Sequence, residues 1–266
     1  MLMALHLFRQ FTKTASLEAT GAVGDDPMFL VQYLFRLLRV VVLLSVWQLA
    51  YAGKGIVSGM SVGAVLTYVL IEEAFAEQLT TRTHLWVSLR DGSIAVSFLQ
   101  PFGLVGQFTA RMVGHWLFSL AFFSLPLLIV SPLLGVDPRP ASLAAGAAFV
   151  LSLLLAVAVG VALEFIFGSL LVYFEHSVYA VDRVRAAIAL IASGALMPLQ
   201  LMPWGLGDWL QWLPFASVAS TPLRIYTGTG DPLPLMSLQL AWALILWPLA
   251  QWLWNRNRQR LASLGG

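Results

Sequence analysis

The sequence predicts an all-α, polytopic membrane protein with six transmembrane helices and both termini in the cytoplasm. Composition is the first observation: 59% of the residues are hydrophobic, 11% are charged and the mean hydropathy is +0.82, whereas soluble domains carry about 25% charged residues. The second is six apolar stretches that meet the requirement of ~20 mostly apolar residues for a spanning helix. The third is the uneven distribution of basic residues between these stretches. Most of the outer surface must therefore contact lipid.

The basic residues fall almost entirely on one side of the predicted membrane. Of the 15 Lys and Arg residues, only Lys54, Arg139 and Arg224 lie in outer segments when the chain is threaded through six spans. Short cytoplasmic loops carry such an excess of Lys and Arg. We therefore predict a multi-pass protein of the inner (plasma) membrane. The same bias accounts for the pI near 9.2, so we expect no nucleic-acid partner.

Residues 1–27 precede the first span and are predicted to be a cytoplasmic or interfacial segment without a cleaved signal peptide. Apolar residues recur there at roughly helical spacing, with basic residues between them. This pattern fits either a short amphipathic helix on the membrane surface or a disordered tail. The apolar residues concerned are Leu2, Leu5, Leu7, Phe8 and Phe11.

The six predicted spans cover residues 29–51, 58–79, 112–134, 141–173, 186–201 and 235–254. The fourth is longer than one perpendicular crossing needs, so we expect it to tilt, to bend near Gly160 or Gly168, or to project into the cytoplasm. Pro198 and Pro203 interrupt the fifth. Residues 204–234, between spans five and six, are semi-apolar and contain several aromatic side chains. We predict that they form an outer re-entrant segment in the aromatic belt of the membrane.

Charged residues near the ends of the first two spans have an ordinary explanation. Arg36 and Arg39 can snorkel from the first span toward the lipid headgroups. Glu72, Glu73 and Glu77 occupy the predicted cytoplasmic end of the second span. We expect these three carboxylates to form a solvated helix end.

Glu164 is the one acidic residue deep within an apolar stretch. A charge at the centre of a membrane costs on the order of 3 kcal/mol on insertion scales, so this carboxylate is functional, paired or close to a wet interface. A functional Glu164 would favour an alternative class, an ion-coupled secondary transporter. Such folds usually show inverted repeats and interrupted helices in matching halves, and neither is visible in this sequence.

Catalytic motifs are absent or out of context. Residues 59–63 match the G-x-S-x-G nucleophile motif, but here it opens an apolar span, whereas the motif works on a strand-to-helix turn with a histidine in reach. The chain has no cysteine, no phosphate-binding G-x-x-x-x-G-K-[ST] and no H-E-x-x-H. A membrane-embedded enzyme is therefore the least favoured alternative, and we expect neither a catalytic metal nor a bound cofactor.

Residues 80–111 form the longest predicted internal loop, and its first part is amphipathic. Leu85, Trp86 and Leu89 can share one face of a helix, which stops at the sequence Arg90-Asp91-Gly92. An exposed amphipathic helix of this kind fits docking onto a protein partner. It equally fits an interfacial helix that contacts only the bilayer.

The chain resembles a permease subunit of the ATP-binding cassette (ABC) transporter superfamily, of the type-2 exporter class with six spans per subunit. The resemblance covers nearly all of residues 28–260. Similar proteins commonly have Arg before the loop proline, where this chain has Gln100. The matching features, in chain order, are Tyr68, Leu89-Arg90-Asp91-Gly92-Ser93-Ile94, Leu99-Gln100-Pro101, and residues 193–198, 213–216 and 222–228.

This resemblance implies a single permease domain over residues 28–260, followed by a short tail at 261–266. It further implies a second permease, which is the same or a related chain, and separate cytoplasmic ATPase subunits that bind ATP with Mg. The amphipathic helix would then be the coupling helix that the ATPase receives, with residues 175–185 as the next candidate. Exported drugs, toxic amphiphiles or lipid-like products are the usual substrates. The candidate coupling residues are Leu85, Trp86, Leu89, Arg90, Asp91 and Gly92.

Overall fold

The structure, a computed structural model, describes residues 8–17, 29–53, 55–100, 102–174 and 177–263. The chain is mostly helical, at 77%, which confirms the predicted helical class. Residues 8–17 form a helix, α1, whereas Leu2, Leu5 and Leu7 lie outside the described residues. The remaining elements are α2 (Phe29–Ala50), β1 (Ile56–Val57), β2 (Met60–Ser61), α3 (Val62–Ala74), α4 (Ala76–Thr80), α5 (Leu85–Arg90), α6 (Ile94–Phe98), α7 (Leu104–Ser119), α8 (Leu125–Val130), α9 (Leu143–Leu170), α10 (Val178–Ala192), α11 (Leu206–Leu210), α12 (Ser220–Tyr226) and α13 (Pro232–Ser263).

Four helical stretches in the described part of the chain are long and apolar enough to cross a membrane. Helices α7 and α8 count as one stretch because a π-helical turn, Leu120–Ser124, joins them without a break. The second and fifth predicted spans are shorter in the structure, with 13 residues in α3 and 15 in α10. The four stretches are Tyr33–Ala50, Leu104–Leu134, Leu143–Leu170 and Pro232–Asn257.

The start of the second predicted span is a β-hairpin and not a helix. Strands β1 and β2 pair antiparallel across Ser58 and Gly59, which both have positive φ, as expected for a two-residue hairpin turn. Ser61 then caps α3 by accepting a hydrogen bond from the backbone N–H of Ala64 at 3.2 Å. The G-x-S-x-G sequence therefore spans a hairpin and a helix start.

The fourth predicted span is one continuous helix of 28 residues, α9. It packs along α13, and buried amides join the two helices near both ends. Gln239 donates to the backbone carbonyls of Ser152 and Ser217 at 3.2 and 2.7 Å, and Asn257 donates to that of Ser169 at 3.0 Å. Polar side chains between membrane helices stabilise packing in this way. Helix α9 continues without a break through Gly160 and Gly168.

The fifth predicted span begins earlier and ends earlier than expected. Helix α10 starts at Val178, so much of the predicted internal loop at 175–185 is helical. It stops before Gly194, which is buried with a φ of +79°. A left-handed glycine is a common helix terminator. Pro198 then prevents the helix from resuming at once.

Candidate functional site

One face of α9 receives the segment that connects α4 to α5. Gly160, Glu164 and Gly168 follow one another at four-residue spacing, so they line a single stripe of the helix. A Cβ atom at Gly160 would collide with the side chain of Thr81, and one at Gly168 would collide with that of Leu85. The two glycines therefore allow the connecting segment to lie directly against α9.

Glu164 lies between these glycines and holds two other elements. Its Oε2 accepts hydrogen bonds from the Thr83 hydroxyl at 3.1 Å and from the Thr83 backbone N–H at 3.4 Å. Its Oε1 forms an ion pair with Arg185 of α10. Arg185 also pairs with Asp182 at 2.9 Å. Of the readings left open by the sequence, the structure therefore shows Glu164 buried and paired.

Helix α5 turns its apolar residues toward the bundle. Leu85 and Leu89 are only 1% and 3% exposed and belong to a buried cluster that includes residues of α7, α9 and α13. Trp86 is half-buried, and Arg90 and Asp91 are exposed. Leu85 and Leu89 thus seat the helix on the bundle, which corrects their predicted exposure as docking anchors. The accessible part of the candidate set is Trp86, Arg90, Asp91 and Gly92.

The two segments predicted to be alternative docking sites lie side by side. The rings of Trp86 in α5 and Tyr179 in α10 are 5.9 Å apart between centroids. The guanidinium of Arg90 lies 5.2 Å from the Trp86 ring, and that of Arg183 lies 4.9 Å from the Tyr179 ring. Alternating cations and aromatic rings thus form one continuous surface, which we call the α5–α10 surface.

The predicted stop after α5 is a tight turn. Gly92 has a φ of +78°, a conformation that favours glycine. The Asp91 carboxylate accepts a hydrogen bond from the Ser93 backbone N–H at 3.0 Å, and this bond holds the pKa of Asp91 below its ordinary value. Asp91 and Gly92 therefore have a local role: they turn the chain from α5 into α6.

A second charged cluster corrects the expectation for Arg36, Glu72 and Glu73, whereas the Arg39 side chain stays 58% exposed. Arg36 is half-buried, with its guanidinium 3.7 Å from the Phe123 ring, and it donates to the Ser119 hydroxyl at 3.2 Å. Arg39 pairs with Glu73 at 2.8 Å, although Glu73 is only 1% exposed. Glu72 is buried as well. Phe123 belongs to the π-helical turn, a local distortion that is frequent at functional sites.

Tyr68 meets the end of α10. Its hydroxyl donates to the carbonyl of Gly194 at 2.8 Å, and the Ser220 backbone N–H donates to the carbonyl of Ser193 at 2.8 Å. Two carbonyls left without a partner by the broken helix are thereby satisfied. Tyr68, the Ser193–Gly194 pair and Ser220 at the start of α12 are far apart in sequence and form one buried contact.

Sequence reasoning did not find Thr83, Arg185 or Gln239. Thr83 and Arg185 lie in polar segments where one hydroxyl or one arginine gives no signal of its own. Gln239 did carry a signal, because it is an amide inside a mostly apolar span. Such a residue in a membrane helix usually faces another helix.

A comparison with protein-family models matches residues 37–265 to a family described as "ABC-2 family transporter protein". The match covers well over half of the chain and includes α3 to α13. It contains every residue of the α5–α10 surface and of the Tyr68 contact. No curated protein matches the chain at a significant level.

Proposed function

Because the chain belongs to the ABC-2 family of transporter proteins, we propose that it is the transmembrane permease subunit of an ATP-driven exporter. ATP with Mg would be bound and hydrolysed by separate cytoplasmic ATPase subunits. A second permease, identical or related, would complete the translocation path. The chain itself would perform no catalytic chemistry, and it would form a single permease domain.

In the proposed topology the chain crosses the inner (plasma) membrane six times, and both termini lie in the cytoplasm. Helices α3 and α4, with Phe75 between them, extend roughly 28 Å at ~1.5 Å per residue, close to the ~30 Å hydrocarbon core. The backbone N–H of Phe75 bonds to Ile71 and that of Leu79 bonds to Phe75, so the two helices continue each other. Helix α10 provides the fifth span together with the chain beyond Gly194. Residues 204–234 supply the outer re-entrant segment, which contains α11 and α12.

The α5–α10 surface is the proposed coupling site. The observation that carries this proposal is the contact of Glu164 with both Thr83 and Arg185. A displacement of α5 by an ATPase would reach α9 through Thr83 and reach α10 through Arg185. Rigid elements joined by buried polar contacts can transmit such a displacement. Helix α10 would then move relative to the Tyr68 contact.

Two exposed or half-exposed side chains offer the main contacts to the ATPase. Arg and Trp residues dominate the energies of protein interfaces, and Arg90 and Trp86 lie together on the α5–α10 surface. Asp91 keeps the following turn in shape. Leu85 and Leu89 pack against the helix bundle and hold α5, which carries part of this surface, in place.

The test uses the full-length permease expressed with its ATPase subunits. Trp86→Ala and Arg90→Glu are expected to reduce both copurification of the ATPase and stimulated ATP turnover, while membrane insertion is unchanged. Trp209→Ala is the control, since Trp209 is an exposed aromatic residue in α11 and is not part of the α5–α10 surface. Equal retention of the ATPase by all three variants would refute the coupling assignment.

The ion-coupled alternative has less support. A carboxylate that carries ions must change its protonation or its partners during the cycle, whereas Glu164 is held by Arg185 and Thr83 together. Glu164→Gln is therefore expected to preserve measurable transport. Complete loss of transport in a correctly assembled Glu164→Gln permease would favour the ion-coupled class instead.

A further inference from the structure

A cavity of about 300 Å³ lies between α4, α9, α10 and the segment before α12. Part of its lining is apolar and includes Leu163, Phe167, Leu190, Phe215 and Val218. The Glu164–Arg185 ion pair also lines it, and from this pair the cavity extends toward the break at Gly194, where Ser193 and Ala195 line it. Small-molecule sites have volumes of about 300–1,000 Å³ and mostly apolar linings with a few polar groups. The cavity meets this description at the lower end of the range.

The end of the cavity near α5 is basic. Arg82 and Arg183 line it and are both exposed. Neither forms an ion pair within the residues that the structure describes, and Arg183 donates only to the hydroxyl of Tyr179, at 2.9 Å. The third arginine, Arg185, is already neutralised by Glu164 and Asp182. Two positive charges at the mouth of the cavity therefore have no acidic partner in the described chain.

We propose that this cavity binds a single-chain amphiphile with an anionic head group. The head group would lie between Arg82 and Arg183, where guanidinium groups offer several donors to a phosphate or carboxylate. The apolar chain would extend along α10 toward Ser193. This inference rests on the proposed function, because it gives the substrate class of the same permease.

The dimensions of the cavity favour one chain of limited length. From Arg183 to Ser193, α10 rises roughly 15 Å at ~1.5 Å per residue, which is about half of the ~30 Å hydrocarbon core. An alkyl chain long enough to cross one leaflet of the bilayer fits this distance. The cavity is too small for a lipid with two long chains, since its volume is at the lower limit for a drug-sized ligand.

The test measures binding to the full-length permease in nanodiscs of phosphatidylcholine, with empty nanodiscs as the background. A dansyl-labelled undecanoate is the fluorescent probe, and dodecyl phosphate, dodecanoate and dodecyltrimethylammonium are the competitors. Saturable binding is expected, with displacement by the two anions and not by the cation. The two anions distinguish a phosphate from a carboxylate preference. Absence of saturable binding, or equal displacement by the cation, would overturn the proposal.

Two kinds of variant locate the site. The double variant Arg82→Gln with Arg183→Gln is expected to weaken binding of dodecyl phosphate about tenfold or more, because hydrogen bonds to charged groups are lost. Ala189→Trp, which fills the cavity without a change of charge, is expected to abolish saturable binding. Wild-type affinity in both would overturn the proposal.

Two control variants make the same kinds of change away from the cavity lining. Ile188→Trp adds the same ring to α10 at an exposed position that does not line the cavity. Arg256→Gln removes an exposed arginine of α13. Both are expected to stay within about twofold of wild type, and loss of binding in both would overturn the proposal.

The binding measurement needs neither the ATPase nor transport. If the ATPase fails to copurify but anions bind saturably, the proposed function fails and the cavity assignment stands. If the ATPase binds and responds to Trp86→Ala but no anion binds, only the cavity assignment fails.

Discussion

Removal of Arg185 should destabilise the protein far more than neutralisation of its partner Glu164. The Glu164 side chain is 7% exposed and that of Arg185 is 14% exposed, so their interaction is largely shielded from water. In the Arg185→Gln variant the Glu164 carboxylate keeps only its Thr83 hydrogen bonds, because its Oε1 has no other partner in the described residues. Breaking a buried ion pair by removal of one partner costs about 3–5 kcal/mol.

The Glu164→Gln variant should cost much less. Glutamine has nearly the same shape, and its amide oxygen can still accept from Thr83. Arg185 remains paired with Asp182 at 2.9 Å, so no charge is left without a partner. We expect a loss of about 1 kcal/mol, the typical net value of a hydrogen bond. The double variant should resemble Glu164→Gln alone, so the coupling energy between the two sites equals the cost of Arg185→Gln, about 3–5 kcal/mol.

The assay is an SDS titration of the purified permease in mixed micelles, followed by the fluorescence of its 10 tryptophans. The measured quantity is the free energy of unfolding of the wild type, both single variants and the double variant. Arg256→Gln serves as the control for removal of an exposed arginine. If Glu164→Gln destabilises as much as Arg185→Gln, or if the two losses simply add in the double variant, the pairing assigned to Glu164 is wrong.

Three further predictions concern Gly160, Tyr68 and the C-terminus. Gly160→Ala should lower stimulated ATP turnover, because a Cβ atom there collides with Thr81, whereas Gly63→Ala in α3 meets no atom within 4 Å and should be neutral; equal turnover in both would contradict the close approach. Tyr68→Phe should cost about 1–3 kcal/mol in the same SDS titration, because the buried carbonyl of Gly194 loses its donor. Tyr51→Phe is its control, since the buried Tyr51 hydroxyl has no hydrogen-bond partner in the described residues, and similar losses in both would refute the assignment. A reporter fused after Gly266 should give a cytoplasmic signal, because the basic residues after the last span favour that side, and an outer signal would refute the topology.

Several features of the candidate site were predictable from local sequence. The turn at Asp91-Gly92 was predictable because an Asx turn and a left-handed glycine depend on adjacent residues only. The amphipathic pattern of α5 was also predictable, since it depends on spacing within one helix. The same pattern could not say which structure its apolar face would contact. Burial of Leu85 and Leu89 against α9 followed only from the tertiary packing.

The class of the protein was determined by the sequence alone, because the transfer of apolar residues into a membrane is a sum over neighbouring side chains. Local sequence also singles out Glu164, because a charge within an apolar stretch has a high free energy of insertion into the membrane. Its partners were decided only by the tertiary structure, since Thr83 is 81 residues away along the chain. Arg36 and Glu73 were predicted to be surface charges, but in the structure Glu73 is buried and the half-buried Arg36 donates to the Glu73 carbonyl. Local sequence thus determined that the charge of Glu164 had to be functional, paired or close to a wet interface. Helix packing depends on distant residues and on the close contacts at Gly160 and Gly168, and it determined which partners Glu164 found.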